Sequence, residues 1–504
     1  MKLAETSAGE TPDYPSVTRQ ATFRSGFNRL APLRKLSLLA FIFLTALGVR
    51  LLNWQGHHNE ALAVQTSVAL NYKHQARLLQ ANGLASLYDA SSSTNNPDLL
   101  GHPPGYPILL SFIYRIAGES DPATQFLQII FDSLAAVIIV VIAGEFFPTA
   151  VGVIAGLMTA FAPQFSWNSL TLLPDSLAAL PILLALYLIV RTVGQAFLPV
   201  QPGVVQFNRD RQECLSYPDN RSRTLSIFAA GALIGVSCWL RANALLLAPF
   251  LVLLFLLVCK RGDRLRPGLI LTCGVLLILS PLTIRNLIVF GKFIPVSLGA
   301  GQTLIEGIAD YNTDGSLGLP QTDMELIRGE AETSKRPDYA NSLFTPDGTE
   351  RDRARLARGF AVIRAHPFWF AGVMVRRAAS MLRLERTPLR LAATNSGSSG
   401  LLQWALCIVQ KSFITALFLP LTLIGAGILF YRRQFQTLAI LLAVPCYYFC
   451  TQSALHTEYR YVLVIHYFLF VLAAIAINSI RLHDQTSPSV KTDETREGSR
   501  ASAR

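Results

Sequence analysis

Long apolar runs separated by short basic or polar joints constrain this chain more than any other feature of its sequence. A helix needs roughly 20 apolar residues to cross a bilayer. Runs of that kind lie at about 36–53, 123–146, 149–166, 176–193, 225–241, 243–259, 268–290, 412–431, 434–453 and 460–481. They predict an all-α polytopic membrane protein with about ten transmembrane helices. Only 15% of the residues are charged and 51% are hydrophobic, whereas a soluble domain carries about 25% charge. The first run lacks a small-residue cleavage site and is followed by further runs, so it reads as a retained span and not a signal peptide.

The net charge of +12 would suggest nucleic acid in a soluble protein. Here the basic residues cluster beside apolar runs and read as topology signals facing anionic lipid. No nucleic-acid partner is expected. Arg19, Arg24, Arg29, Arg34 and Lys35 put the N-terminus in the cytoplasm. Arg209, Arg211, Arg221 and Arg223 fall on the same side, as do Lys260, Arg261, Arg264 and Arg266, then Arg432 and Arg433, and then the tail after Arg481. All five clusters fit one alternating topology in the cell inner (plasma) membrane, with both termini inside.

That topology divides the chain. A basic cytoplasmic N-terminus (1–35) leads into a transmembrane module (36–300) whose first external loop covers 54–122. An external region (301–400) follows, then C-terminal spans (401–482) and a polar tail (483–504) expected to be cytoplasmic and disordered. Residues 367–384 (PFWFAGVMVRRAASMLRL) are apolar enough to suggest another span. Arg376 and Arg377 would then lie in the membrane, at about 2.5–3.5 kcal/mol each. A helix lying in the interface suits the segment better, and the same holds for the short run 105–117. The seven cysteines form no CxxC pair and no disulfide framework, and no zinc site is expected.

On this topology the unusual polar residues fall on one side. Glu60 lies in a His-rich stretch of the first external loop, and Asp175 in the second (TLLPDSLAALP). Arg241 and Arg285 close two spans at their outer ends, and Glu458 and Arg460 sit in the last external turn (HTEYRY). Carboxylates and arginines on one membrane face can activate an acceptor while clamping an anionic leaving group. Arginine suits phosphate because its planar fork donates paired hydrogen bonds and keeps its charge. A carboxylate can be the general base. Plainer readings stand beside these: arginine at a span end anchors to headgroups, and Asp175 after a proline can cap a helix. His57, His58 and His102 suggest a metal, but loop histidines are common, so no metal site is assigned and a divalent cofactor is left open. HPPGYP is most simply a rigid turn. Asp132 (QIIFDSLAAV) lies inside a span, where it is either functional or paired with a neighbouring polar group.

The first-loop acid, HPPGYPILLSFIYRIAG, the Asp175 loop, PLTIRNLIVFGKFIPVS, RAHPFWFAGVMVRR and EYRYVLVIHY together resemble the family 39 glycosyltransferases and their relatives. These include the dolichyl-phosphate-mannose protein mannosyltransferases and the bacterial transferases that decorate lipid A. The resemblance covers about 36–480. It implies a GT-C fold, a polyprenyl-phosphate-linked sugar donor, an active site at the outer membrane face, and inversion at the anomeric carbon. The acceptor would be a glycan, lipid or protein. The family's first-loop signature is typically Asp-Glu; here the matching pair is Asn59-Glu60. The expected catalytic residues are therefore Glu60 and Asp175, and Arg241, Arg285 and Arg460 are expected to bind the donor phosphate. His57, His58, His102, Tyr106 and Glu458 are the loop residues expected near the acceptor. The absence of a Gly-rich phosphate loop or Rossmann unit fits a donor without a nucleotide. A membrane transporter or flippase would instead show inverted repeats and polar residues deep in its spans. A subunit of envelope-glycan assembly with a decayed site is the third reading.

Overall fold

The computed structural model of the chain describes residues 27, 30–95, 100–194, 220–258, 265–385 and 400–486. The basic cluster before Phe27, Arg209 and Arg211, Lys260 to Arg264, most of the linker 395–400 and the end of the tail lie outside the described residues. Every regular element among the described residues is a helix.

The spans and connectors follow in order: α1 (Pro32–Leu62), α2 (Thr66–Asn82), α3 (Gly105–Ala117), α4 (Asp121–Phe146), α5 (Thr149–Phe161), α6 (Pro163–Leu170), α7 (Asp175–Gly194), α8 (Asn220–Leu240), α9 (Leu247–Val258) and α10 (Leu265–Phe290). The segment between α10 and the C-terminal spans supplies α11 (Ala300–Ala309), α12 (Asp323–Ser334), α13 (Gly348–Ala365) and α14 (Pro367–Met381). Then come α15 (Leu401–Lys411), α16 (Thr415–Tyr431), α17 (Phe435–Gln452) and α18 (Leu463–Thr486). Local chemistry places several ends. Pro32 opens α1 where its missing N–H costs nothing. Ser120 Oγ caps α4 by accepting from Ala123 N–H, with Asp121 in the first turn. Gly118, at φ +71°, stops α3.

Seven helices are long and apolar enough to cross a membrane, and two bent pairs raise that to nine. The chain is a multi-pass membrane protein, but three of the ten expected spans differ from the expectation. The run at 149–166 breaks at Ala162–Pro163, where α5 and α6 meet at a 50° bend. The run at 412–431 begins only at Thr415, after α15 has approached at 58°. The run at 243–259 yields a 12-residue α9, only about 18 Å long at helical rise. Its first residues are taken by a turn in which Tyr447 Oη donates to Asn243 O and accepts from Leu246 N–H. Apolar content cannot reveal such a break, because the atoms that cause it come from another helix.

The spans pack around α18, whose apolar window is 78% buried. α8 and α10 run parallel and close. A Cβ on Gly231 would strike Leu271 O, and one on Gly274 would strike Phe228 O. One step further along, Trp239 Nε1 donates to Ile278 O. The parallel pair requires α9 to return between them.

α14 spans only 15 residues. Arg377 is buried and donates to Ser453 O and Gly307 O, and it pairs with Asp310 at 3.4 Å. Phe368 and Val375 face outward. The helix is amphipathic, and Arg377 sits in an apolar stretch because carbonyls of two other segments and Asp310 take up its charge.

Arg285, expected at a donor phosphate, does something else here. Its guanidinium is buried near the end of α10 and donates to Asn95 Oδ1 at 2.5 Å, Asn286 Oδ1 at 2.8 Å and Leu87 O at 3.2 Å. It stitches the two 3₁₀ turns Leu84–Tyr88 and Ser93–Asn95 to the bundle. Asn95→Ala removes a buried acceptor from a charged donor and is expected to cost about 2 kcal/mol. A lower melting temperature in detergent and faster proteolysis within 84–95 would check it.

Candidate active site at the ends of the spans

The site begins with a loop held by a polar stripe. Gln125 and Gln128 share one face of α4 with Asp132, at spacings of three and four. Gln128 Nε2 donates to Thr171 O at 2.6 Å and Ser169 O at 3.2 Å. Gln125 Nε2 donates to Leu170 O at 2.7 Å. These carbonyls belong to the end of α6 and the turn after it, where helical partners run out. The two amides are themselves oriented: Tyr106 Oη donates to Gln128 Oε1 at 2.7 Å, and Trp54 Nε1 to Gln125 Oε1 at 2.8 Å. The HPPGYP elbow therefore acts on the second loop through Tyr106. It can seat there because Gly105 lies against Trp239 O with no room for a Cβ.

The loop delivers Asp175 to the start of α7, buried at 5% exposure. Arg241 Nη1 lies 3.0 Å from its Oδ1 and Arg460 Nη1 lies 3.7 Å from its Oδ2. Among the described residues neither carboxylate oxygen has a well-aligned hydrogen-bond donor, and Ser176 Oγ has no partner. The attraction is ionic, with lone pairs left over. Arg241 stacks on Tyr461, 3.9 Å from the ring centroid. Arg460 makes a two-pronged contact with Glu458, Nε to Oε2 at 2.7 Å and Nη2 to Oε1 at 3.0 Å. Gln65 Nε2 approaches Glu458 Oε1 at 3.4 Å. Two arginines and two carboxylates thus balance. The space between Asp175, Arg241, Arg460 and Tyr461 is about 10 Å³, near the size of one water molecule.

His102 joins this group through the electrostatics. Its ring meets Tyr72 edge-on at 5.4 Å. Burial, then the charges of Arg241 and Arg460, pull its pKa down to about 4, so the imidazole is neutral near pH 7. Burial pushes the phenols of Tyr72 and Tyr106 up, keeping both protonated. Burial works against the Glu458 carboxylate, but the hydrogen bonds and charge of Arg460, with Arg241 and His456, hold its pKa below the usual range.

Of the residues singled out from sequence, the structure brings together Asp175, Arg241, Arg460 and Glu458, with His102 and Tyr106 beside them. It does not bring Glu60 in. α1 continues to Leu62, so Glu60 lies on a helix end and not in a loop. It is mostly exposed and contacts His57 Nδ1 at 3.1 Å. His58 stacks on Trp54 and contacts Trp54 O. His58 and Asn59 line a separate open cleft of about 540 Å³ with Lys73, Asp121 and Gln125. Arg285 is held by the first loop, as described above. Among the described residues no group of three or more His, Cys, Asp or Glu could hold a metal ion. Sequence reading missed Tyr72, Tyr461, Gln125 and Gln128. The glutamines carried a signal, two amides and an acid on one face of an apolar helix.

The profile of the dolichyl-phosphate-mannose-protein mannosyltransferase family matches residues 101–196, from the HPPGYP elbow through α7. No curated protein matches the chain. Among solved structures, it is similar to the archaeal oligosaccharyltransferase AglB from Archaeoglobus fulgidus in complex with an inhibitory peptide and a dolichol-phosphate. The TM-score is 0.50 at 16% identity, covering 90% of this chain and 52% of that one. The apo form of the Archaeoglobus fulgidus enzyme gives a TM-score of 0.51 at 14% identity, over 89% of this chain and 51% of that one. The fold is GT-C-like. This chain spans about half the length of those archaeal enzymes.

The GT-C-like site has a pH signature. The unfolded chain protonates His102 near pH 6.5, whereas the folded chain resists until about 4. The unfolded state binds more protons in that window, so stability falls as pH drops from 6.5 towards 4. His102→Gln is expected to flatten part of this fall in melts recorded between pH 7 and pH 4.5.

Proposed function

We propose that this protein is an integral-membrane glycosyltransferase. It moves a hexose or pentose from a polyprenyl-phosphate donor to a glycolipid, polysaccharide or protein acceptor, with inversion, at the outer face of the plasma membrane. The observation that carries the reading is Asp175, buried at the mouth of the bundle between Arg241 and Arg460, with no aligned donor on either oxygen. The archaeal neighbour was solved with a dolichol-phosphate and a peptide. A lipid phosphate of that chemistry suits two arginines at the end of membrane spans. Both termini would lie in the cytoplasm.

In this mechanism the acceptor hydroxyl or amine attacks the anomeric carbon as the bond from that carbon to the phosphate oxygen breaks. Asp175, lying between its two arginines, takes the acceptor proton. Polyprenyl phosphate departs with the bonding pair, and Arg241 and Arg460 meet the charge that develops. Arg460 is balanced by Glu458 before the donor arrives, so the incoming phosphate takes over a guanidinium already desolvated and oriented. Tyr72, Tyr461 and neutral His102 supply the walls and hydrogen-bonding groups for a sugar. Glu60 remains as a peripheral acceptor contact with His57 and His58, and Arg285 as a scaffold residue.

The assay is transfer of radiolabelled sugar from polyprenyl-phosphate donors in membranes carrying the protein. Asp175→Asn should lower kcat by about 10²–10⁴-fold, and Arg460→Gln by about 10²–10³-fold. Glu60→Gln should stay within about twofold, as an exposed side chain away from the charge cluster. Full transfer by the Asp175→Asn variant at normal expression would overturn the assignment.

A further inference from the structure

We propose that the buried Arg50–Asp132 pair, completed by Tyr467, is a positioning device that locks the broken helix α5–α6 and so sets the place of Asp175. The catalytic consequence rests on the function proposed above, whereas the structural half stands apart from it.

The pair lies inside the bundle, with side-chain exposures of 0% and 1%. Arg50 Nε donates to Asp132 Oδ2 at 2.6 Å, and Tyr467 Oη donates to Asp132 Oδ1 at 3.1 Å. Each partner also grips one arm of the broken helix. Arg50 Nη1 reaches Ala160 O at 3.4 Å, in the last turn of α5, as well as Ala46 O on its own helix at 3.0 Å. Pro163 opens α6 and has no N–H to give back to α5, so carbonyls at the end of α5 are left with partial negative charge. A buried cation beside them is well matched. On the other arm, the Tyr467 ring stacks on Phe165 of α6, with centroids 4.1 Å apart and planes 22° apart. One carboxylate therefore holds α5 through Arg50 and α6 through Tyr467.

The far end of α6 is held by the same face of α4. Gln128 and Gln125, one and two turns from Asp132, take the carbonyls of residues 169–171. From Pro163 to Thr171 the segment is fixed at both ends by a single polar stripe, and Asp175 follows four residues later. A buried ion pair adds little net stability over well-packed apolar groups. Removing both charges together is therefore a fair test of a positioning role, since no unpaired charge remains.

The experiment compares wild type, R50M/D132L, Y467F and R50K. It measures hydrogen–deuterium exchange of the purified full chain in detergent alongside the transfer assay. In R50M/D132L the amides of 163–175 should exchange about tenfold faster, with α8 and α10 unchanged. Turnover per folded molecule should fall about 10–100-fold with donor KM within about threefold, and the unchanged exchange in α8 and α10 separates this from general destabilisation. R50K keeps the charge on Asp132 but lacks the second arm to Ala160, and should show the same local exchange if the double variant fails to fold. Y467F should loosen α6 more than α5. Unchanged exchange over 163–175 in every variant that folds would overturn the proposal. The exchange arm decides the matter even if no sugar donor supports transfer, so failure of the positioning role and failure of the glycosyltransferase reading are told apart.

Discussion

A carboxylate taken out of water must meet positive charge, and this requirement organises the molecule twice. At one end of the bundle Asp175 sits between Arg241 and Arg460. Inside it Asp132 sits against Arg50. In both places the cation comes from a segment distant in sequence, so neither acid can be buried until the bundle has closed. The two pairs differ in what is left over. Asp132 also accepts from Tyr467. Asp175 keeps lone pairs without aligned donors. Under the function proposed above, those spare lone pairs are what Asp175 would offer to the acceptor.

The loops at that end depend on polar groups that rise out of the membrane spans. Gln125 and Gln128 serve as surrogate helix partners for the carbonyls freed after α6. Trp54 and Tyr106 orient those amides from opposite sides. The HPPGYP elbow thus contributes through a tyrosine hydroxyl, with Pro103, Pro104 and Gly105 as its rigid mount. Arg285 plays the comparable part for the first loop, where Asn95 and Leu87 O are its partners. A lipid-linked donor would meet a surface whose loops are fixed from below, by groups that water does not reach.

Much of the fold was legible because bilayer crossing has a simple length and polarity rule. Straight spans such as α4 and α10 follow from it directly. The exceptions have local causes that the rule does not contain. α1 runs on through His57, His58 and Glu60 because nothing in that stretch breaks a helix. α5 stops where Pro163 opens α6, with Arg50 donating to Ala160 O beside the break. α9 is shortened by Tyr447 from α17. For the site, Asp175, Arg241, Arg460 and Glu458 could be picked out as polar residues at span ends on one face. Arg285 and Glu60 shared that signature yet have different surroundings. Position along a span gives depth but not direction, and the rotation of a helix about its axis decides which neighbour a side chain meets.

The amino-acid sequence by itself determined that the chain is helical, that it crosses a membrane many times, and that its unusual charges collect at one end. Those properties follow from apolar run length and from the cost of leaving charge in hydrocarbon, both of which are additive along the chain. Only the tertiary structure decided which charges meet. It put Asp175 with two arginines, removed Arg285 and Glu60 from that group, and brought in Tyr72, Tyr461 and His102. Pairing depends on helix rotation, on close contacts such as Gly105 against Trp239, and on breaks set by partners far away in sequence, and none of these is a sum over local residues.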